Sequence, residues 1–346
     1  MFYIHQCTCI SPQHTFPDVD LEILNEAVDN KMKVVEPSYK DIPSGLLRRM
    51  GKAVRMGVGA GLSIINESVD GIVIGTANGG MEDCIKFLNQ IIAYEEGMLT
   101  PGNFVQSTNN ALAGQLGLMA GNKGYNITHV HRSLSFENAA IDVDMLLAEN
   151  PLNTYLLGTV DEISEYNYNI EYLDGGYKRE AVSNSELYQS ETPGSIAGEG
   201  AAMFLVNAVE ENAIARFHAI DISHVQNEKE VIDRLNNFLS KQLLPGEKID
   251  VFLSGENGDS RYEKLYSNIE RELLSSSTTI RFKHMCGEYP TASSFGFWLA
   301  CNILKHQAVP KHAIKQSLVQ QDIQKVLIYN NYKGHQHSFI LMSRCQ

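Results

Sequence analysis

Tryptophan occurs once in this chain. The six cysteines, Cys7, Cys9, Cys84, Cys286, Cys301 and Cys345, are too few and too scattered for a disulfide scaffold. None of their spacings gives a four-ligand zinc site, and Cys7-Thr-Cys9 reads as two small residues on an N-terminal strand. No stretch reaches the roughly 18 apolar residues that a membrane helix requires. The opening Met-Phe-Tyr-Ile-His-Gln-Cys has neither a basic leader nor a long apolar segment, so a cytoplasmic location without membrane insertion is expected. Basic residues are scarce as well. Against 41 Asp plus Glu stand 28 Lys plus Arg, and a net charge of -13 disfavours a phosphate backbone, so nucleic acid is not expected as a partner.

What is present is an ordinary globular composition, 43% hydrophobic and 20% charged over 346 residues. That length can bury a large core in one big domain or two closely joined ones. The pattern is clearest between Gly124 and Glu149, where a short β-branched run turns sharply into a periodic helix. Phe136, Ala139, Ala140, Val143, Leu146 and Leu147 recur at helical spacing, which assigns Glu137, Asp142 and Glu149 to the opposite face. Ser135 is placed to cap this helix. A strand that delivers a small polar residue to the start of a buried helix suits an acyl nucleophile, because the helix end offers amides and a favourable dipole. Ser133 holds that place.

Residues 1–10 read as a strand ended by Ser11-Pro12-Gln13. A helix is expected from about Gly45 to Asn66, and it opens with the densest basic cluster in the chain, Arg48, Arg49, Lys52 and Arg55. Such a cluster is either a solvated or dimer-facing surface or a dock for an acidic partner. The apolar run Asp70–Gly79, followed by a helix over 81–93, returns as Ile249–Gly258 followed by a helix over about 261–274. Placing Asn78-Gly79 on Asn257-Gly258 sets Ile72, Val73 and Ile74 on Val251, Phe252 and Leu253, an offset of 179 residues. Each copy continues with a buried helix, 135–148 or 291–304, and a strand, 154–158 or 325–329. The expected class is therefore α/β with two duplicated halves, 1–195 and 196–346, and mixed sheets. Residues 161–195 read as an exposed connection, and 196–206 as the opening of the second half.

Taken in order, these motifs resemble the thiolase-fold β-ketoacyl synthases. The resemblance rests on Gly-Thr-Ala-Asn-Gly79, Ser107–Gly117, the turn at Ser133, Gly198-Glu-Gly-Ala-Ala202, Ser254-Gly-Glu-Asn-Gly258, Cys286–Ala292 and Gly334-His-Gln-His-Ser338. Arg48-Arg-Met and His131-Arg-Ser-Leu-Ser-Phe-Glu137 are similar to the divergent synthase-like proteins of aryl-polyene and flexirubin pigment pathways. The resemblance implies a five-layer α-β-α-β-α thiolase fold with two pseudo-dyad-related halves. It also implies an acyl carrier protein as partner and no cofactor. An edge strand and adjoining helix over Asn103–Asn110 would form a dimer, with a second copy or with an active ketosynthase. In that comparison the basic residues Arg48, Arg49, Lys52 and Arg55 become the carrier-protein dock.

An active member of the family needs a Cys to take the acyl chain and two His to stabilise the oxyanion. The corresponding positions here are Ser133 (Leu134 if counted from the C-terminal side), Ser254 and Glu288, so none of the three is retained. A Ser hydroxyl needs an adjacent base, Ser254 cannot act as a cation, and an ionised Glu288 repels an enolate. Buried beside the two serines, Glu288 must be neutralised or held by a cation such as Lys283 or Arg132. The resemblance thus implies a non-condensing, chain-length-factor-like subunit of fatty-acid or polyene synthesis. Two alternatives stand beside it: a Ser133-dependent acyltransferase or hydrolase with His129 or His131 as base, and a scaffold of a pigment-synthesis complex. His335 and His337 lack a third metal ligand at a recognisable spacing, and no metal is expected.

Overall fold

A computed structural model describes residues 1–318 and 322–345. One sheet of eleven strands runs through the whole molecule. In chain order the strands are β1 (Phe2–Ile10), β2 (Gly71–Gly75), β3 (Tyr125–His129), β4 (Thr154–Asp161), β5 (Gly200–Asn207), β6 (Ala215–His224), β7 (Val251–Ser254), β8 (Thr278–Arg281), β9 (Ile314–Gln316), β10 (Lys325–Tyr332) and β11 (Gln336–Arg344). The helices are α1 (Lys52–Leu62), α2 (Met81–Ala93), α3 (Pro101–Gln106), α4 (Ala111–Ala120), α5 (Ser135–Glu149), α6 (Glu165–Leu173), α7 (Glu228–Gln242), α8 (Glu263–Leu273) and α9 (Ser293–His306). None of the described helices is long and apolar enough to cross a membrane.

The order along the sheet is β9-β8-β7-β10-β11-β6-β1-β5-β4-β2-β3. It contains the same five-strand pattern twice, β3-β2-β4-β5-β1 and β8-β7-β10-β11-β6. In each, the second strand is parallel to its two neighbours and the last three run antiparallel. The two patterns join where β1 pairs with β6. Residues 197–198 pair with 31–32 in a small separate sheet, and residues 200–207 lie as β5 between β4 and β1.

Equivalent aspartates begin the second strand of each pattern. Asp70 donates its amide to Thr154 O and receives Tyr125 N–H on its carbonyl and Thr154 N–H on its carboxylate. Asp250 makes the same three bonds, with Lys325 O, Thr278 N–H and Lys325 N–H. Asp70 therefore corresponds to Asp250, and the repeat offset is 180 residues, one more than the sequence alignment gave. A slip of one residue exchanges the faces of a strand. In the corrected register Ile72 and Phe252 both face outer helices, while Val73 and Leu253 both face the centre.

Three cores fill the spaces between five layers. Met56 and Val58 of α1 and Leu112 and Leu116 of α4 pack on Ile72, Ile74 and Leu156 at one side. Leu235 of α7 and Ile269 of α8 pack on Phe252, Leu327 and Phe339 at the other. Between them α5 and α9 form the middle layer, meeting where the Phe136 and Phe297 rings lie edge to face at 5.3 Å. The expected α-β-α-β-α arrangement with these two helices at its centre is the observed one. Phe295 to Ala300 are all buried, as a charge-free helix covered on both sides requires. At Gly75 a Cβ would lie 2.5 Å from Ser135 O, so the absence of a side chain lets α5 start against the end of β2.

Several local expectations change. The basic stretch is two short helices, 44–47 and 52–62, broken around Arg48 and Arg49, rather than one helix. Ser135 does not cap α5; its Oγ accepts His131 N–H and donates to Arg132 O, closing the preceding turn. Glu137 is wholly buried, because α5 has protein on both sides and so has no solvent face at its first turn. Asn103–Asn110 is the end of α3 and the turn into α4, and the free edge of the sheet on this side is β3. Residues 161–195 contain α6, a 3-10 turn and the wholly buried Lys178, whose ammonium donates to Thr192 O and Gly258 O at 2.7 Å.

Candidate functional site

The starts of the two central helices, the loop after β7 and the β10–β11 hairpin converge at one place. Glu288 is brought there by an unusual backbone crossing. Its N–H donates to Ile196 O and its carbonyl accepts Gly198 N–H. A Cβ at Gly198 would stand 2.0 Å from Cys286 O, and Gly287 has φ 74°, a conformation glycine adopts without cost. The Glu288 carboxylate is then held from both sides, by Lys283 Nζ on Oε1 at 2.8 Å and by Asn257 Nδ2 on Oε2 at 2.7 Å. Lys283 has no exposed surface, so its charge is balanced by this carboxylate and not by water.

Ser133 lies in the turn before α5, 1% exposed, and its Oγ donates to Gln336 Oε1 at 2.8 Å. Arg132, just before it, has φ 49°, the left-handed region that is costly for a residue with a Cβ. Ser254 ends β7, fully buried, and its Oγ accepts Glu256 N–H. Glu137, one turn into α5, accepts Ser338 Oγ at 2.8 Å, and its other oxygen has no partner. Burial raises its carboxyl to about 7, with the bond from Ser338 and the charge of Lys283 pulling the other way. Asp161, at the end of β4, is also buried. It accepts Ala77 N–H, Asn78 N–H, Thr76 Oγ1 and Thr291 Oγ1, tying the loop after β2 to the start of α9.

A cavity of about 400 Å3 opens onto Glu288, Asn257, Arg132, Tyr289 and Tyr332. Lys333 and Arg261 on its wall are paired with Glu171, Asp174 and Asp259. Among the described residues Arg132 has no carboxylate partner, and no imidazole lines the cavity. Ser133 and Ser254 lie behind the wall and do not reach it.

The profile of the family described as "Beta-ketoacyl synthase, N-terminal domain" matches residues 25–177. No curated protein matches the sequence. Among solved structures, the ishigamide ketosynthase/chain length factor aligns with a TM-score of 0.78 at 14% identity, over 99% of this chain and 98% of its own. A type II PKS acyl-carrier protein in complex with its ketosynthase, AntDE:AntF, gives 0.72 at 13% identity over 99% of both chains. The ketosynthase ApeO in complex with its chain length factor ApeC, from Xenorhabdus doucetiae, gives 0.74 at 12% over 99% and 98%. The fold is that of the ketosynthases.

Within this ketosynthase fold, Ser133, Ser254 and Glu288 all lie at the convergence, yet no hydrogen bond joins any two of them. The histidines named as bases are engaged elsewhere. His129 Nε2 meets Asp142 Oδ2 at 2.9 Å, and His131 Nδ1 meets Asn138 Nδ2 at 3.0 Å. Asp142, two turns into α5 and 13 residues beyond His129, is a carboxylate partner that the strand pattern did not suggest. His337 bonds Tyr329 OH and Val225 O, and His335 bonds Lys333 O. The basic cluster is divided. Arg55 makes a two-pronged bond to Glu36 at 2.6 and 2.8 Å, and Lys52 pairs with the buried Glu199, whereas Arg48 and Arg49 point into solvent. The signals missed in the sequence are the buried acids Glu137 and Asp161, since a carboxylate in a periodic helix or at the end of a strand reads as exposed.

Proposed function

We propose that this chain is a non-condensing, chain-length-factor-like partner of an active β-ketoacyl synthase in fatty-acid or polyene synthesis of the aryl-polyene type. The observation that carries the reading is the grip of Lys283 and Asn257 on Glu288. Both carboxylate oxygens accept hydrogen bonds, so the position that corresponds to a catalytic His in the family presents neither a cation nor an N–H to a developing oxyanion. Ser133, at the position of the nucleophile, donates to an amide oxygen rather than to a base, and a hydroxyl so placed is not activated. His129 and His131 face other partners, so no observation favours the serine-hydrolase alternative.

In this reading the partner adds to the free edge strand β3, which continues the sheet and is surrounded by the exposed side chains of Leu118, Tyr125 and Val130. Arg48 and Arg49 are the free cations for an acidic carrier protein. The relatives of the same fold that are complexes of ketosynthase with chain length factor, or with carrier protein, support this assignment. The test is incubation of the pure protein with malonyl-carrier protein, followed by carbon dioxide release and intact mass, together with mass spectrometry of ketosynthases that co-purify from the native cell. The expected result is no carbon dioxide, no acyl adduct and a co-purifying ketosynthase. An adduct that vanishes in Ser133→Ala would replace this reading with a working serine site.

A further inference from the structure

Helix α9 has a cavity at each end. Tyr289 and Pro290, just ahead of it, line the cavity already described, while Trp298, Cys301 and Lys305 line a second one of about 860 Å3. At 1.5 Å per residue the two are roughly 15 Å apart along the helix, and they share no lining residue. The second volume falls within the range of about 300–1,000 Å3 typical of small-molecule sites.

Its walls are mainly apolar, with Phe16, Ile42, Leu62, Ile64, Ile214 and Trp298 all facing the space. One wall is held in place at a cost. Tyr39 has φ 45°, a left-handed conformation, and its hydroxyl donates to Glu36, the carboxylate that also grips Arg55. Its ring lies against Gly59, where a Cβ would stand 2.3 Å from Tyr39 Cε1, so only glycine leaves room for the ring there. The half-buried thiol of Cys7 and the buried Cys301 both line the space. At the mouth stand Lys305 and Lys40, both exposed, and among the described residues no carboxylate pairs with either. Asp41 is the one carboxylate on the lining. In a chain of net charge -13, an apolar cavity with two free ammonium groups at its entrance is locally basic.

We infer that this cavity binds one long-chain amphiphile with an anionic head, the chain lying against Trp298 and Cys7 and the head meeting Lys305 and Lys40. Apolar walls favour an extended hydrocarbon, and an ammonium at the mouth favours an anion over a neutral head of the same length. The site is independent of the Glu288 cavity and of the partner-subunit reading.

The sole tryptophan is a reporter inside the site, and Cys7 is a second. The full-length protein is titrated with sodium decanoate and, in parallel, with decan-1-ol, following Trp298 emission. Alkylation of Cys7 by iodoacetamide is followed by peptide mapping. The expected result is a saturable change with one equivalent of decanoate, slowing of Cys7 alkylation in proportion to occupancy, and weaker binding of the alcohol. In Lys305→Ala, an exposed position whose change leaves the fold intact, decanoate binding weakens about tenfold, toward that of the alcohol, as loss of one charge-assisted hydrogen bond implies. The inference is overturned by an unsaturable or absent Trp298 response, by a response without protection of Cys7, or by equal binding of acid and alcohol to the native chain.

Discussion

Ser133 and Gln336 are 203 residues apart in sequence and joined by a hydrogen bond of 2.8 Å, the serine hydroxyl donating to the amide oxygen. The bond links the turn before α5 to the first residue of β11 and so couples the two halves at the site. Both groups are buried. Ser133→Ala strands the Gln336 oxygen, and the expected loss is about 1–3 kcal/mol of stability. Denaturant unfolding measures it. An unchanged midpoint would mean that the serine hydroxyl is not committed to this bond.

Lys283 depends on Glu288. In Glu288→Gln the ammonium remains buried without its counter-charge, and removing one partner of a buried pair costs about 3–5 kcal/mol. The double variant Lys283→Met/Glu288→Leu is expected to recover most of that loss, since no charge is left inside. Glu288→His, which under the proposed function places an imidazole at the family's second His position, is expected to destabilise in the same way and to release no carbon dioxide from malonyl-carrier protein. A Glu288→Gln variant as stable as the native chain would show that water or another anion reaches Lys283.

Stability falls with acid through three histidines. Burial lowers His284 to about 3 and both His337 and His218 to about 4. His284 sits in a chain fixed by one carbonyl. His312 Nε2 donates to Leu21 O, so His312 Nδ1 accepts from His284 Nε2, and His284 Nδ1 accepts from Tyr188 OH. Between pH 6.5 and these values the unfolded chain takes up protons that the native chain cannot, and stability declines as pH drops through that window.

Glu137 acts with the opposite sign. Its folded value of about 7 lies above the ordinary carboxyl value of 4.5, so the native state holds a proton that the unfolded state releases. Its contribution to stability therefore weakens as pH rises from 4.5 to 7 and is constant above that. Glu162, raised by burial to about 7, adds in the same direction. The stability of Glu137→Gln relative to the native chain is expected to rise across pH 4.5–7 and then level off. Urea unfolding of the two proteins at a series of pH values measures the difference. A difference independent of pH would show that Glu137 is ionised in the native state throughout.

The basic cluster separates by pairing, and under the proposed function only its unpaired members meet a carrier protein. Arg48→Glu and Arg49→Glu are expected to leave stability within about 0.5 kcal/mol of native, since among the described residues neither makes an ion pair. The same changes should weaken carrier-protein binding in a salt-dependent manner. Arg55→Ala and Lys52→Met are expected to lower the melting temperature, because they remove the partners of Glu36 and of the buried Glu199. Titration calorimetry alongside thermal unfolding distinguishes the pairs. Equal effects of Arg48→Glu and Arg55→Ala on melting would refute the division.

The five-layer order came with the family resemblance, and what the residues themselves made legible was that the central elements are apolar on more than one face. The run Ile72-Val-Ile74 and the charge-free Ser293–Ala300 are stable only where protein covers them on both sides. Register was not legible, since the two apolar triplets align almost equally well one residue apart, and only the Asp70 and Asp250 bonds decide between them. The burial of Glu137 was hidden for a related reason: helical periodicity identifies one apolar stripe, and a helix packed on two sides needs a second criterion. The order of motifs pointed to Ser133, Ser254 and Glu288, which the fold brings to one region, and Lys283 as the cation beside Glu288 could be found by its nearness in sequence. The engagement of Ser133 by Gln336 and of His129 by Asp142 depends on how the β10–β11 hairpin and α5 dock, which no local pattern encodes.

β1 sits where the two five-strand patterns join, and both of its neighbours lie about 200 residues further along the chain. β5 begins at Gly200 and β6 at Ala215, so β1 pairs on one side with residues from about Ala201 to Asn207 and on the other with Ala215 to Phe217. Until that much chain exists, a strand with Phe2, Ile4, Cys9 and Ile10 buried in the native state has no native partner on either edge. Contacts so far apart in sequence form slowly, and the waiting strand is an adhesive surface for other nascent chains. The seam between the two five-strand patterns therefore closes only through contacts about 200 residues apart, which makes β1 a late-ordering part of the sheet.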